Sequence, residues 1–394
     1  MSGNEPSAKG SLSKRDWSDY VRSVARHGLT DDQVAALAVE FANSGVKLDF
    51  GEASTADVAS TGGPSSLSTL LTPLFLVREG FQVPKLGVPG RPAGGLDVLA
   101  QIPGYKIDLD PTEIRVVIAK CGYAHFNSAG LFAPLDAEIF RLRQGLAVQA
   151  VPELVIASLL SKKIAVGVRS VGLDVRIAPH GNFGDDYETG RRNAKRFISV
   201  AKLLGLRAVC ILTDAQLPFQ PFVGRGESLW AMSDALRGDS DDWLQRHVAQ
   251  CEAMAYAVSG SDVRQINSPP SVEFAANVDA HGGSYDGFLD KVEAVRRSHI
   301  HFIESPDNGF IRYDLEIIRS VLVSEQKKTS YGGPFPDPAG VRLLVEPGNR
   351  VTRAEPVMSI RLGRGTALEV MDRLRRALIV SHTAGSAMED EVVK

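Results

Sequence analysis

Residues 57–66 read DVASTGGPSS and combine a pair of glycines with four hydroxyl side chains. An apolar run typical of a helix, residues 67–77, follows at once. Glycines let a backbone turn tightly and approach a ligand, so several N–H groups can point at one anion. A helix N-terminus adds unpaired N–H groups and a favourable dipole. The pattern fits a phosphate cradle, and it equally fits an ordinary serine- and glycine-rich turn before a buried helix.

Composition excludes several classes of protein. The 394 residues suffice for a substantial core and two or three structural units. A net charge of -3 gives no sign of nucleic-acid binding, and no apolar run approaches the roughly 20 residues that span a bilayer. Residues 1–15 are polar, without the apolar core of a signal peptide, so we predict a disordered tail and a cytoplasmic protein. Cys121, Cys210 and Cys251 lie far apart and suggest neither a zinc site nor a disulfide framework.

Segments typical of strands alternate with segments typical of helices, which indicates the α/β class. A capping box at Thr30 opens a helix that ends near Ser44, and a second box at Thr366 opens a final helix that runs to about Val380. A loop over residues 59–63 precedes the helix 66–79. The other predicted helices are 17–26, 96–100, 137–143, 153–166 and 188–204. The predicted strands are 81–85, 113–119, 172–177, 207–212, 341–345 and 357–360.

A second group of polar residues is Arg143, Ser158 and Lys162. Ser158 and Lys162 lie four residues apart in a predicted helix and so share one face, from which Lys163 points away. Arginine offers paired planar donors and lysine a point charge, a combination that suits a planar heterocycle with carbonyl oxygens. Fixed cations also stabilise the negative charge that such a base gains as it leaves a sugar. A solvated helix face explains the same spacing.

No metal site is predicted from the spacing of polar residues. The histidines do not follow a metal-ligand pattern. Asp185 and Asp186 follow a glycine and could hold a cation, although acidic pairs in loops are usually solvated.

Six motifs follow one another in a fixed order along the chain. They are DVASTGG at 57–63, LDVLAQIPG at 96–104, SLLSKK at 158–163, LTDAQLP at 212–218, DPAGV at 337–341 and PGNRV at 347–351. Their order and spacing, from about Thr30 to Val380, resemble the thymidine/pyrimidine-nucleoside phosphorylase family, whose fold is shared with anthranilate phosphoribosyltransferase. The base-binding arginine, serine and lysine of the family fall on Arg143, Ser158 and Lys162.

The resemblance implies a small all-α domain and a large α/β domain that carries a C-terminal α+β subdomain. The small domain falls at residues 16–46 and 136–166. The phosphate-binding α/β domain falls at 47–135 and 167–300, and the subdomain at 301–394. A homodimer is also implied, although the N-terminal helical region is shorter than in the phosphorylases and its dimer geometry is therefore open.

The chain departs from the family where the family binds phosphate. The loop lysine is Val58, the histidine beside it is Ala59, and the second phosphate segment is shortened to residues 87–95. Another cation must therefore replace the lysine if phosphate is to bind well. Lys85 lies in a run that resembles a phosphate-facing segment of anthranilate phosphoribosyltransferase, and Arg91 is a second candidate. The predicted phosphate ligands are Ser60, Thr61, Gly62, Gly63, Ser65, Thr69, Lys85 and Arg91.

The resemblance implies a pentosyltransferase that splits a pyrimidine nucleoside with inorganic phosphate into free base and (deoxy)ribose 1-phosphate. Its partners are then small molecules, with no nucleic acid and no membrane, and it requires no metal or organic cofactor beyond an optional structural monovalent cation. One alternative is a phosphoribosyltransferase with a diphosphorylated ribose donor and Mg²⁺, for which Asp185 and Asp186 are the available ligands. Another is an inactive nucleoside-binding paralogue, which the loss of the loop lysine and histidine suggests.

Overall fold

The computed structural model describes residues 16–63, 65–90, 92–127, 130–178, 183–261, 268–328, 334–363, 367–383 and 390–394. Its helices are α1 Trp17–His27, α2 Asp31–Ala42, α3 Ser68–Arg78, α4 Gly95–Leu99, α5 Pro111–Cys121, α6 Pro134–Gly145, α7 Pro152–Ala165, α8 Tyr187–Leu203, α9 Arg225–Arg237, α10 Asp242–Ser259, α11 Ser271–Ala280, α12 Tyr285–Arg297, α13 Leu315–Gln326 and α14 Ala367–Arg375. Its strands are β1 Ala56–Ser60, β2 Val83–Gly87, β3 Tyr123–Asn127, β4 Ser170–Ile177, β5 Arg207–Asp214, β6 Phe222–Val223, β7 His299–Glu304, β8 Gly309–Tyr313, β9 Ala339–Leu343, β10 Arg350–Val351, β11 Pro356–Leu362, β12 Leu378–Ser381 and β13 Glu391–Val393.

The central sheet has the order β1-β4-β5-β13, with the first three strands parallel and β13 antiparallel at the edge. Strand β4 is buried along its whole length because helices cover both faces of the sheet. Strands β2 and β3 form a separate parallel pair. The strands β6 to β12 form two antiparallel sheets, with the orders β6-β9-β11-β7 and β10-β8-β12. The predicted α/β class is confirmed.

The helices near the N-terminus pack together beside the sheet. Helix α2 lies against α7 and α8, and α1 lies against α6. The Thr30 capping box is confirmed, with the Thr30 hydroxyl accepting from the Gln33 amide at 3.3 Å. The domain boundaries given above remain a prediction. In the described part of the chain no helix has the length and apolar character to cross a bilayer.

The predicted strand 113–119 is wrong, because these residues belong to helix α5. Asp110 caps that helix in a box with Glu113, and Pro111 occupies its first turn. The buried residues Ile114, Val117 and Ile118 have the spacing of one helical face, while Val116 between them is 49% exposed. The capping signals therefore outweigh the β-branched composition.

Two other boundaries need correction. Helix α14 ends at Arg375, and residues 378–380, predicted to continue it, belong to β12, which pairs antiparallel with β8. Because the partner strand β8 lies about 65 residues earlier, the local sequence does not indicate that these residues form a strand. Residues 59 and 60, expected in a loop, end strand β1. The predicted cap at Thr366 lies outside the described residues.

Candidate active site

Parallel pairing of β1 with β4 sets the position of the glycine-rich loop. Ser60 lies opposite Asp174 in the register. Beyond the strand end, the Thr61 amide donates to the Asp174 carbonyl at 3.0 Å, and the Arg176 amide donates to the Thr61 hydroxyl at 3.0 Å. The loop thus leaves the sheet at the carboxyl ends of parallel strands, where ligands bind in open α/β sheets.

The loop has the open geometry that a bound anion requires. Gly62 and Gly63 are exposed and have φ values of 104° and 118°, a region in which a side chain is strained. Among the described residues, no carbonyl or side chain accepts from the amides of these two glycines. Helix α3 begins five residues later at Ser68 without a side-chain cap bond at its N-cap, Leu67. The loop retains free N–H donors.

A buried ion pair, Asp174 with Arg176, lies beneath the loop. The Asp174 carboxylate accepts from Arg176 Nε, from Ser68 Oγ and from Thr213 Oγ1, each at 2.9 Å. Arg176 donates through Nη1 to the Gly63 carbonyl at 3.2 Å and through Nη2 to Ser68 Oγ at 3.0 Å. Sequence reasoning missed these residues, although two opposite charges on one face of the predicted strand, in the mostly apolar run SVGLDVRI, were a usable signal.

The predicted hydroxyl ligands have different surroundings. Ser65 is buried, with φ 68°, and its Oγ accepts from the Phe219 amide at 3.2 Å while its carbonyl accepts from Gln220 at 2.7 Å. Ser60 and Thr69 are half-buried. Ser65 therefore anchors the loop through its oxygen atoms, and its hydroxyl hydrogen is its remaining donor.

Lys85, on β2, forms an ion pair with the fully buried Asp57, which lies on β1 three residues before Ser60. Its Nζ donates to Asp57 Oδ1 at 2.7 Å and to the Val58 carbonyl at 2.5 Å, and Lys163 binds the other carboxylate oxygen. Burial alone would raise the pKa of Asp57, but Lys163 and Lys85 lower it to about 2. Burial lowers the pKa of Lys85. The second predicted cation, Arg91, lies outside the described residues.

The side chain of Val58, at the position of the family's loop lysine, is packed in the core. Val58 is 1% exposed and belongs to an apolar cluster with Leu71 and Val258. It pairs with Gly172, where an added Cβ would lie 2.6 Å from Val58 Cγ2. Position 58 therefore faces the core.

Helices α6 and α7 carry the second candidate group. Lys162 donates to Ser158 Oγ at 2.9 Å and forms an ion pair with Asp136, so the structure brings these three side chains together. Arg143 is 3% exposed and donates to the Leu154 carbonyl at 3.2 Å. Burial lowers the pKa of Arg143 to about 10, against the opposing effect of Asp136.

Two buried polar atoms of this cluster have no hydrogen-bond partner in the part of the chain that the structure describes: Asp136 Oδ1 and Arg143 Nε. Unpaired buried polar atoms are rare and mark positions that a polar ligand or water would complete. Asp136 was missed in the sequence because a single acidic residue after a proline has no distinctive spacing.

The acidic pair that the phosphoribosyltransferase alternative would use is exposed, and one of its members caps a helix. Asp185 and Asp186 are exposed, and Asp186 caps α8 by accepting from the Thr189 amide at 2.8 Å. The described ranges hold no cluster of three or more potential metal ligands.

Comparison with known proteins places this geometry in context. No protein-family model matches the chain. The thymidine phosphorylase of Sinorhizobium fredii is 27% identical over 396 residues, covering 93% of this chain and 88% of that protein. The thymidine phosphorylase of Burkholderia cenocepacia is 26% identical over 412 residues, covering 94% of both. The pyrimidine-nucleoside phosphorylase of Geobacillus stearothermophilus is 22% identical over 396 residues, covering 95% and 90%.

These alignments confirm the resemblance to the thymidine/pyrimidine-nucleoside phosphorylase family, since the chain is similar to its members over nearly its whole length. Both names denote pentosyltransferases, the class that the motifs predict. Among solved structures, anthranilate phosphoribosyltransferase from Saccharomyces cerevisiae in complex with PRPP and Mg aligns with a TM-score of 0.49 and 13% identity, covering 70% of this chain and 85% of that one.

Proposed function

We propose that this protein is a pentosyltransferase that cleaves a pyrimidine nucleoside with inorganic phosphate and releases free base and (deoxy)ribose 1-phosphate. The names of its relatives support the activity. The observation that carries the proposal is the hydrogen-bonded group of Ser158, Lys162 and Asp136, together with two buried atoms, Asp136 Oδ1 and Arg143 Nε, that have no partner among the described residues. A pyrimidine base presents both N–H donors and carbonyl acceptors, which would pair with these atoms.

The proposed reaction joins the two groups of residues. A phosphate oxygen held at the loop forms a bond to C1′ of the sugar while the C1′–N bond breaks and its electron pair passes to the base. Arg143 and Lys162 stabilise the negative charge on the departing base, which takes up, by way of solvent, the proton that the phosphate group loses. Ser60, Thr61, Gly62, Gly63, Ser65 and Thr69 form the proposed phosphate site.

The remaining features of the proposal follow the family resemblance. The enzyme acts as a cytoplasmic homodimer on small molecules, with phosphate as co-substrate and no required cofactor. A structural monovalent cation is an optional component.

An inactive nucleoside-binding paralogue is the second candidate, and one observation favours it. Val58 and Ala59 replace the charged residues that the family carries in this loop, and Val58 lies in the core. Such a protein would bind nucleoside without turnover.

The test is a panel of nucleosides incubated with and without phosphate, with base release measured by chromatography. Phosphate-dependent release supports the phosphorylase, and binding without release supports the inactive paralogue. Release only from a nucleotide with diphosphate and Mg²⁺ supports a phosphoribosyltransferase.

A variant then connects the activity to the cluster. Lys162→Met removes the cation that faces the base, and we expect kcat/KM to fall by about 100-fold, as when one charge-stabilising donor is removed. Lys202→Met, on the exposed last turn of α8, is the matched control and should retain wild-type activity. Equal activity of the two variants would contradict the assignment of Lys162.

A further inference from the structure

The glycine-rich loop has a buried cation against it, and that cation is Arg176. Its guanidinium contacts Gly63 at one end of the loop and Ser68 at the other, at 3.2 and 3.0 Å. Its backbone amide also fixes Thr61. A Cβ added to Gly63 would lie 3.8 Å from Arg176 Nη1, so the backbone passes directly over the guanidinium.

The guanidinium retains donors for a ligand. Arginine has five N–H groups, and the contacts of Arg176 use three of them: Nε to Asp174, Nη1 to Gly63 and Nη2 to Ser68. One N–H on each terminal nitrogen has no acceptor among the residues that the structure describes. Two parallel N–H groups of a guanidinium match the spacing of two phosphate oxygens.

The surroundings of Arg176 strengthen its field at the loop. Its side chain is 5% exposed, and the ring of Phe219 lies 5.6 Å from the guanidinium carbon. Asp174 offsets part of the charge, yet this carboxylate also accepts from the hydroxyls of Ser68 and Thr213. His247, which accepts from the Leu67 amide at 2.8 Å, adds no charge because burial lowers its pKa to about 4. An ionic hydrogen bond made here is shielded from water.

Lys85 does not reach the glycine-rich loop in this way. Its Nζ already has two acceptors, Asp57 and the Val58 carbonyl, both before the end of β1. Those contacts join β2 to β1, and Asp57 also forms an ion pair with Lys163.

We propose that Arg176, rather than Lys85, is the cation that binds the phosphate group at the glycine-rich loop in place of the lysine lost at position 58. The assignment rests on the proposed function, because that function places phosphate at this loop. The ligand is a phosphate group, either inorganic phosphate or one phosphoryl group of the diphosphate on a phosphorylated ribose.

Calorimetric titration tests the assignment without requiring turnover. Inorganic phosphate, and separately diphosphate with Mg²⁺, are titrated into the wild type, Arg176→Gln, Lys85→Met and the control Arg207→Gln, whose arginine lies at the opposite end of the sheet on β5. We expect Arg176→Gln to weaken phosphate binding by about 10- to 100-fold, as for the loss of hydrogen bonds to a charged group. Lys85→Met and Arg207→Gln should stay within about threefold, less than the loss of one neutral hydrogen bond.

A paired variant guards against misfolding. Asp174→Asn combined with Arg176→Gln removes both charges, so no buried charge is left unpaired. Loss of phosphate affinity in this folded double variant supports the assignment. Wild-type affinity in it or in Arg176→Gln, loss of affinity in Lys85→Met, or no phosphate binding by the wild type would overturn it.

Base release separates this assignment from the proposed function. Phosphate binding that depends on Arg176 without cleavage of any nucleoside would refute the function and leave the assignment standing. Nucleoside cleavage by Arg176→Gln with an unchanged KM for phosphate would refute the assignment of Arg176 and leave the proposed function standing.

Discussion

Asp57 is a single carboxylate that faces two buried ammonium groups, Lys85 and Lys163. Removing the carboxylate leaves two like charges in a site shielded from water, whereas removing one lysine leaves a neutral pair. We therefore expect Asp57→Asn to lower the free energy of unfolding by about 3–5 kcal/mol. Lys163→Met should cost less than about 2 kcal/mol, since it leaves Asp57 paired and keeps an apolar side chain in the space. Urea denaturation measures both, and a larger loss for Lys163→Met would contradict the charge argument.

The lowered pKa of Asp57 predicts that the stability of the fold depends on pH. The pKa of Asp57 falls from its ordinary 3.8 to about 2 in the folded protein, where burial is outweighed by Lys163 and Lys85. Its stabilisation is therefore present above the unfolded value and is lost as the pH falls through 3.8 towards 2. A shift of this size corresponds to about 2 kcal/mol. The unfolding free energies of wild type and Asp57→Asn should converge by about that amount as the pH falls through this window, and a constant difference would show that Asp57 does not titrate there.

Helix α5 illustrates how capping decides an element whose composition favours a strand. The Asp110 side chain accepts from the amides of Thr112 and Glu113 at 2.7 and 2.9 Å. Asp110→Ala removes both bonds and should lower the free energy of unfolding by about 1 kcal/mol. Thr112→Ala, in the same exposed turn, is the matched control and should be near neutral. Thermal denaturation distinguishes them, and equal stability of the two variants would argue against the cap.

The sequence supports prediction where an element carries its own signal. The Thr30 box and the helix that carries Ser158 and Lys162 are local patterns, and both elements are present. The cluster under the loop depends on pairing between β1 and β4, which lie more than 100 residues apart, so Asp174 and Arg176 could not be placed beside Gly63 from spacing alone. The loop itself was identifiable from the sequence, but the position of Arg176 beside it was not.

Helix α7 connects the two candidate subsites across the molecule. Lys162 faces Asp136 on α6, in the group proposed to bind the base, whereas the next residue, Lys163, binds Asp57 on β1, three residues before Ser60. The motifs predicted both subsites, and the family resemblance predicted their association. The ionic link through Lys163 is a property of the assembled fold, because adjacent residues of a helix point to different partners.

A buried ionic network joins α9 to the C-terminal sheet. Arg361 on β11 donates to Glu227 of α9 at 2.6 and 2.9 Å and to Asp337 at 2.7 Å, and His299 lies 3.0 Å from Glu227. The backbone packs closely around it, since a Cβ on Gly340 would lie 1.7 Å from Glu227. Arg361→Met leaves the Glu227 carboxylate buried with His299 as its remaining side-chain partner among the residues that the structure describes. Such a break should cost about 3–5 kcal/mol.

Because β9 and β7 flank β11, the loss of the Arg361 contacts should destabilise the whole sheet β6-β9-β11-β7, called the C-terminal sheet here. We expect Arg361→Met to lower the urea midpoint and to accelerate amide hydrogen exchange at Val341 and Ile360, which pair across β9 and β11. The exposed Arg353→Met is the matched control and should match the wild type in both measurements. If exchange accelerates in this sheet while β4 and β5 keep their protection, the C-terminal sheet opens as a separate unit. If all strands lose protection together, the network couples the sheet to the α/β core, which is the outcome we expect because Glu227 is fully buried between α9 and the sheet.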